Sequence, residues 1–503
     1  MNISMNYFKR VIISIFFSIF VSCETDVENN TIDDDSEEPN IIIENPKHPN
    51  IILFLCDDLG YGDLTSYGHP HIKTPNIDSL ALSGIKLTDF YSTSPVCSPS
   101  RIGLLTGRSP NRAGVYDFIV GGGNQRGDLK DLVHLRPEEE TIPGLLKAAG
   151  YNTCLVGKWH GSSLFNSVEQ PQPDFFGFEH WFATHNNASP THKNPNNFIR
   201  NGEVVGALDG FSSQIVVDEA IDWLEQKKGD NPFFLEVAFH EPHEPVESPE
   251  ILVEKYLQYA TTREEAEYFA NVENVDIAVG RLISYLKSNG YDENTLVIFT
   301  SDNGPETLNR YAKANKSYGS SGNLKGMKLW TNEAGFRVPC IINWLGKETF
   351  VGTSNAVISA LDFLPTFSEL SGANLPMKAL DGESITQLLN MGDMQREKPL
   401  LWSFYNATNS QVIAMRDGDW KIMAQLKNKD GYLPKLRNIH NGNENLVKEA
   451  VLTDFVLYNL KQDVNETEDL VLKNPEVFDR MYKELEIRYK ELLNDSYIWS
   501  RTE

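Results

Sequence analysis

Ile51-Ile52-Leu53-Phe54-Leu55-Cys56-Asp57-Asp58 reads as a buried strand that ends in a pair of carboxylates. An unbroken apolar run has no face for water, so it marks a central strand covered on both sides, as in a parallel sheet. Ligands of such sheets gather at the carboxyl ends of the strands. Asp57 and Asp58 stand there, followed by the turn residues Leu59-Gly60-Tyr61-Gly62. The pattern then repeats downstream. Tyr151–Val156 runs into Gly157-Lys158-Trp159-His160, Pro232–Phe239 into His240-Glu241-Pro242-His243-Glu244-Pro245, and Thr295–Thr300 into Ser301-Asp302-Asn303-Gly304. Ile85–Tyr91 reads as a further strand that delivers the chain to Cys97.

Helices fall between these strands. One starts at Thr74-Pro75 and one covers Ile142–Ala149, closed by Gly150. Two more carry Val216, Val217, Ala220 and Leu224, and Val275, Val279, Leu282 and Leu286, at helical spacing. The alternation predicts an α/β fold, a large mostly parallel sheet sandwiched by helices. It is expected over residues 48–390, as the larger domain. Residues 161–210, rich in Asn, Pro, His and aromatics without periodicity, read as a long loop or lid. After Leu389 the texture changes to a hairpin at Arg416–Ala424, a strand at Phe455–Leu460 and a terminal helix over 475–493. This predicts a smaller C-terminal α+β domain, an antiparallel sheet plus helix, over 391–503.

The five strand ends bring reactive side chains to one edge. Asp57, Asp58, Asp302 and Asn303 are hard oxygen ligands, a set that suits Ca²⁺ better than zinc and does not exclude Mg²⁺. Cys97 is followed by Ser98, a good N-cap, and Pro99, a good first helical residue. A helix from there would pass through Ile102, Leu104 and Leu105 and stop at Gly107. Cys97 would then stand at a helix N-terminus with Arg101 one turn in, a setting for an oxyanion.

Cys97-Ser98-Pro99-Ser100-Arg101-Ile102-Gly103-Leu104-Leu105-Thr106-Gly107-Arg108 resembles the signature of the type I, formylglycine-dependent sulfatases. Those proteins have an alkaline phosphatase-like superfold. The resemblance is close over residues 48–390 and looser beyond. His240-Glu241-Pro242-His243-Glu244-Pro245 and Tyr318-Gly319-Ser320-Ser321-Gly322 add a likeness to the arylsulfatase A and galactosamine-6-sulfatase branch. The resemblance implies a sulfuric ester hydrolase acting on a sulfated glycan, with a galacto-configured sugar expected. Cys97 would be oxidised by a formylglycine-generating enzyme to an aldehyde whose hydrate attacks sulfur. One Ca²⁺ ion would lie on Asp57, Asp58, Asp302, Asn303 and the modified residue 97. Arg101, Lys158 and His160 match residues that hold and deprotonate the hydrate. His243, in His-x-Pro-x-x-x-Pro spacing, and Lys328, in Lys328-Leu329-Trp330-Thr331-Asn332-Glu333-Ala334-Gly335-Phe336-Arg337-Val338-Pro339, match residues at the leaving oxygen. Ala334 stands where the family has glycine. His240 also fits His-x-Pro and shares the pocket in this reading. Specificity is expected from the loop holding His185, Asn186, Asn187, His192 and Asn197, with His185, Asn187 and His240 touching substrate, and from the C-terminal domain.

Two other readings stand beside this one. A phosphodiesterase or phosphonate hydrolase of the same superfold would carry Thr or Ser, or a second metal set, in place of the Cys97 string. A non-catalytic glycan-binding surface lipoprotein would not need the full set of reactive residues.

The 503 residues carry a net charge of −25. This argues against duplex nucleic acid as a partner, because phosphate neutralisation needs clustered Lys and Arg, but does not forbid an anionic substrate at a local basic pocket. Lys9-Arg10, the apolar run Val11–Val21 and Phe20-Val21-Ser22-Cys23 read as a lipoprotein signal peptide over 1–22. Cys23 would be lipidated. Residues 23–47 are acidic between Glu24 and Glu44, without Lys or Arg, and read as a solvated tether. This predicts a bacterial lipid-anchored protein at the outer membrane, cell surface or periplasm. The acidic run after Cys23 resembles export signals of Bacteroidetes lipoproteins. Cys56, Cys154 and Cys340 sit in apolar runs and read as small core residues.

Overall fold

The computed structural model describes residues 48–122, 133–227 and 231–501. The signal peptide, tether and Cys23 readings lie outside these residues. No helix among the described residues is long and apolar enough to cross a membrane.

Four strands form the middle of the larger sheet: β1 (Asn50–Asp57), β2 (Asn152–Lys158), β3 (Phe233–Pro242) and β4 (Thr295–Ser301). They lie in the order β4-β1-β3-β2, all parallel, with Leu55 opposite both Ala238 and Thr300. All four carboxyl ends therefore open on one edge. Beyond β4, Cys340–Leu345 runs antiparallel, and beyond β2, His180–Thr184 runs parallel. Odd residues of β1 (Ile51, Leu53, Leu55) pack with Phe234 and Ile298 on one face. Even residues (Ile52, Phe54, Cys56) pack with Leu235, Val237 and Phe299 on the other. Helices seal both faces: Cys97–Thr106 (α1), Ile142–Ala148 and Phe363–Ser371 on the first, Ser212–Gln226 and Arg263–Ser288 on the second. Both faces are covered because the strands have no polar side to show.

The second sheet is antiparallel. Its strands are Leu400–Ser403, Ile413–Asp417, Trp420–Asn428, Gly431–Tyr432 and Val451–Asn459. The terminal helix Pro475–Asp495 buries Met481, Leu485, Tyr489 and Leu492. Ile413, Met415 and Ile422 belong to the same apolar cluster as Leu53 and Ile102.

Two expectations are corrected. Ile85–Tyr91 is not one strand. Ile85–Leu87 joins the large sheet, while Phe90–Tyr91 pairs with Ile358–Ser359, because Asp89 between them turns to Arg337 at 3.0 Å and Arg416 at 2.7 Å. Residues 161–210 are not all loop. His180–Thr184 is a sheet strand with Trp181 and Phe182 buried. A five-residue strand with His and Thr at its ends is too short to show a period.

A buried ion cluster ties the second sheet to the short helix Glu333–Phe336. Lys421 stands 3.0 Å from Glu333 and 2.8 Å from Glu466, all three side chains fully buried. Burial alone would push the Glu333 carboxyl up, but Lys421, Arg337 and Arg416 together hold it at about 2, below its ordinary 4.5. Its share of stability is complete above pH 4.5 and is lost as pH falls towards 2. Lys421→Met would leave the Glu466 carboxylate buried without the cation beside it, and Glu333 with Arg337, at 3.2 Å, as its remaining cation in direct contact. Chemical denaturation at pH 7 should show a loss of about 3–5 kcal/mol.

Candidate active site

The site is assembled where β4, β1, β3 and β2 end side by side. Asp57 is the last residue of β1, and Asp58 turns away from it in the left-handed region, φ 66°. A non-glycine residue is strained there. The turn is held by the Asp58 N–H on Asp302 at 3.3 Å and by the Asn303 amide donating to the Asp58 carboxylate at 2.6 Å. One turn of chain thus joins the ends of β1 and β4.

α1 begins at Cys97 itself. Its N-cap is Val96, extended at φ −155°, and not Ser98. The Ser98 hydroxyl instead accepts the Ile119 N–H at 2.9 Å. The helix ends at Gly107 in the left-handed conformation, as its sequence suggests. Cys97 therefore stands in the first turn with its sulfur 3.4 Å from Asp57. Burial, and next the Asp57 charge, push the thiol well above its ordinary value. An unmodified Cys97 is thus no thiolate at neutral pH, and a poor nucleophile.

Three cations meet three carboxylates here. Lys158 donates to Asp57 at 2.5 Å, Arg101 to Asp302 at 2.8 Å, and Lys328 reaches Asp58 at 2.7 Å. Burial alone would raise Asp57; Lys158, His243, Arg101 and Lys328 outweigh it and hold the group well below its ordinary range. Burial dominates at the other two, which stand at about 6.

The donor set fits a divalent cation. Ligand atoms of Asp57, Asp58, Cys97 and His243 all lie within 4.8 Å of one another. The carbonyl oxygen of the Asn303 side chain is buried with no donor to bind. His243 Nδ1 faces the Glu244 carbonyl at 2.6 Å, so it carries the proton, and Nε2 turns its lone pair towards Asp58 at 3.6 Å. Two acceptors facing each other are reconciled by a shared cation. Asp302, expected as a ligand, lies outside that four-residue group, and its carboxylate is taken by Arg101.

A cavity of about 430 Å³ opens in front of Cys97, lined among others by His160, Asn186, Asn187, His243 and Lys328. A larger cleft of about 730 Å³ along Asn166–Phe175 contains none of these residues. His160 donates through Nε2 to the Ile119 carbonyl at 2.8 Å, and its Nδ1 is buried and unpartnered. His240 is corrected. It bonds Thr184 at 2.8 Å, packs on Phe198 and does not line the cavity; His243 does. His185 packs behind His160 at 5.5 Å between rings and is also outside the lining. His192 is fully buried beside Asn271, and Asn197 braces its own loop through Ser189 and Asn187. Arg310, Tyr311, Asn406 and Arg437 line the cavity without having been singled out in the sequence. They come from segments with no period and no motif.

Residues 49–373 match the family model described as Sulfatase, and residues 327–469 match that of the N-sulphoglucosamine sulphohydrolase C-terminal region. The chain belongs to the sulfatase family. It is 34% identical over 395 residues to human arylsulfatase A, covering 74% of either chain. It is 32% identical over 373 residues to human N-acetylgalactosamine-6-sulfatase, covering 71% of this chain and 68% of that one. These relatives are the branch to which the His240–Pro245 string pointed. The crystal structure of Ps i-CgsB in complex with k-i-k-neocarrahexaose superposes with a TM-score of 0.73 at 26% identity, over 91% of this chain and 95% of that one. The architecture is alkaline phosphatase-like, and this sulfatase is a sulfuric ester hydrolase.

Proposed function

We propose that this sulfatase hydrolyses sulfate esters of a glycan, with Cys97 converted to formylglycine and one Ca²⁺ ion held by Asp57, Asp58 and Asn303, with Asp302 beside them. The observation that carries it is the pairing of a buried, protonated Cys97 thiol with an otherwise complete anion-binding site. Among the relatives, the Ps i-CgsB complex holds k-i-k-neocarrahexaose by its name, and N-acetylgalactosamine-6-sulfatase names a sulfated sugar. Those names support a glycan substrate here.

Formylglycine, when hydrated, supplies an oxygen nucleophile that a thiol or serine cannot replace. Ca²⁺ supplies fixed positive charge for the sulfate oxygens. The chain does the rest. Lys158 and Arg101 offset the carboxylate charge under residue 97, so that an anion can approach. Arg101 also fixes Asp302 beside the nucleophile. His160, neutral because burial and then Lys158 lower it well below its ordinary value, has a free Nδ1 to accept a proton at the cavity wall. Burial and then Lys328 push His243 down to about 3, so His243 is neutral, with its bare Nε2 turned towards Asp58 and no proton to give to the leaving oxygen. The proton for the leaving oxygen comes from Lys328. Its ammonium is kept charged: burial opposes it, but the neighbouring carboxylates, Asp58 first and Glu306 after it, raise it well above its ordinary value. A Cys97-oxidising enzyme is a required partner, and a lipid anchor on Cys23 would hold the enzyme at the outer membrane or in the periplasm.

The test is release of inorganic sulfate from sulfated galactosides by protein from its native host, before and after chelation. Activity that falls at least about 10²-fold with a chelator and returns with Ca²⁺ supports the reading. Faster release of phosphate from matched phosphate esters, or no sulfate release at all, overturns it.

A further inference from the structure

The cavity in front of Cys97 has a charged wall of which the chemistry at sulfur uses only Lys328. Three of its lining residues carry full charge, Lys328, Arg310 and Arg437, and among the described residues no carboxylate lines it. In a chain of net charge −25 this is a local reversal of sign, the arrangement that draws an anion into one place.

The three cations differ in what they already hold. Lys328 is seated on Asp58 at 2.7 Å. Arg310 gives both arms of its fork to Glu306, at 2.7 and 2.6 Å. Arg437 has no such partner. Its nearest carboxylate, Asp117, is 4.0 Å from Nε. That carboxylate already accepts from Asn406 at 3.0 Å and from the Phe118 N–H at 2.9 Å. The guanidinium lies over the Phe118 ring, 5.4 Å from its centroid, which fixes its plane. Nη1 of Arg437 is buried and donates to nothing.

A buried donor without an acceptor costs free energy and calls for a partner. Here the donor belongs to a planar cationic fork, the group best matched to a sulfate or carboxylate. Among the described residues, the cavity it lines offers it no acidic side chain. Arg437 comes from the segment between Gly431–Tyr432 and the helix Glu444–Lys448. Its contacts are with Asp117 and Phe118, not with the Asp57, Asp58 and Cys97 group around the ester to be cleaved. We propose that Arg437 binds a second anionic group of the substrate, a sulfate or a carboxylate separate from the scissile ester, so that the enzyme selects glycans with more than one negative charge. This rests on the sulfatase reading above.

The experiment compares wild type, Arg437→Gln and Arg437→Lys on three galactoside disaccharides and on 4-nitrophenyl sulfate. The disaccharides share one scissile sulfate. One is otherwise neutral, one carries a second sulfate, and one has a neighbouring uronate. Wild type should favour one of the doubly charged sugars over the neutral one in kcat/KM. Arg437→Gln should shrink that preference about 10–100-fold, through KM and not kcat, as for loss of a charge-assisted hydrogen bond. Arg437→Lys should fall between, keeping charge but not the fork. Loss confined to the disulfated sugar assigns a sulfate, and loss confined to the uronate assigns a carboxylate. A wild type that hydrolyses 4-nitrophenyl sulfate but shows no preference, or a preference that Arg437→Gln leaves intact, overturns the proposal alone. A wild type inactive on every sulfate ester overturns the sulfatase reading and this with it.

Discussion

Cys97→Ala will lower kcat/KM for a sulfate ester by about 10⁴-fold or more while the protein stays folded. Losses of that order follow removal of a nucleophile whose partners remain in place. The fold survives because the change is small. The sulfur contacts Asp57 at 3.4 Å, but α1 is held by Ile102, Leu104 and Leu105 in the core and by its Gly107 cap. Cys97→Ser is the sharper variant. It restores an oxygen at the same place, yet a single hydroxyl amid three buried carboxylates has neither the acidity nor the second hydroxyl of an aldehyde hydrate. It should remain within about tenfold of the alanine variant, both being without a nucleophile. Steady-state rates, with a thermal melt as the folding control, decide this. Serine activity near wild type would show that residue 97 needs no modification.

Lys328→Met is expected to lower kcat by about 10²–10⁴-fold, the usual range for a positioned proton donor. Lys328 is buried, seated on Asp58, with Glu306 at 3.9 Å. The loss should depend on the leaving group. A sugar alkoxide needs its proton in the transition state, whereas a nitrophenolate leaves almost unaided. The rates of aryl sulfates plotted against leaving-group acidity should therefore be steeper for Lys328→Met than for wild type. Equal losses on all esters would make Lys328 a binding residue and reassign the proton. The variant also strands Asp58, so its stability should be followed alongside.

The strand ends were readable because each central strand is an apolar run that stops at a polar cluster. Asp57, Lys158, His243 and Asp302 therefore mark one edge in the sequence itself. The cap of α1 was misread because Ser98-Pro99 is a good local start, and only the fold reveals that the Ser98 hydroxyl is needed by Ile119. His240 and His243 both open a His-x-Pro, and the longer His-x-Pro-x-x-x-Pro spacing favours His243 without excluding His240 from the pocket. Burial against Phe198 and a bond to Thr184 removed His240. Arg310, Asn406 and Arg437 were invisible because a cavity wall built from three distant segments leaves no periodic trace. Glu236 was hidden for another reason. It lies mid-strand in β3, with one carboxylate oxygen buried and unpaired, and burial pushes it to about 7 even with Arg101 opposing. A single acid inside an apolar run gives no hint of what lies beneath it.

The most direct measurement is the mass of the tryptic peptide Leu87–Arg101 from active protein purified from its native host. The account predicts that residue 97 has lost its sulfur and carries an aldehyde that a hydrazide captures. Fully active protein in which that peptide holds an unmodified cysteine would contradict it.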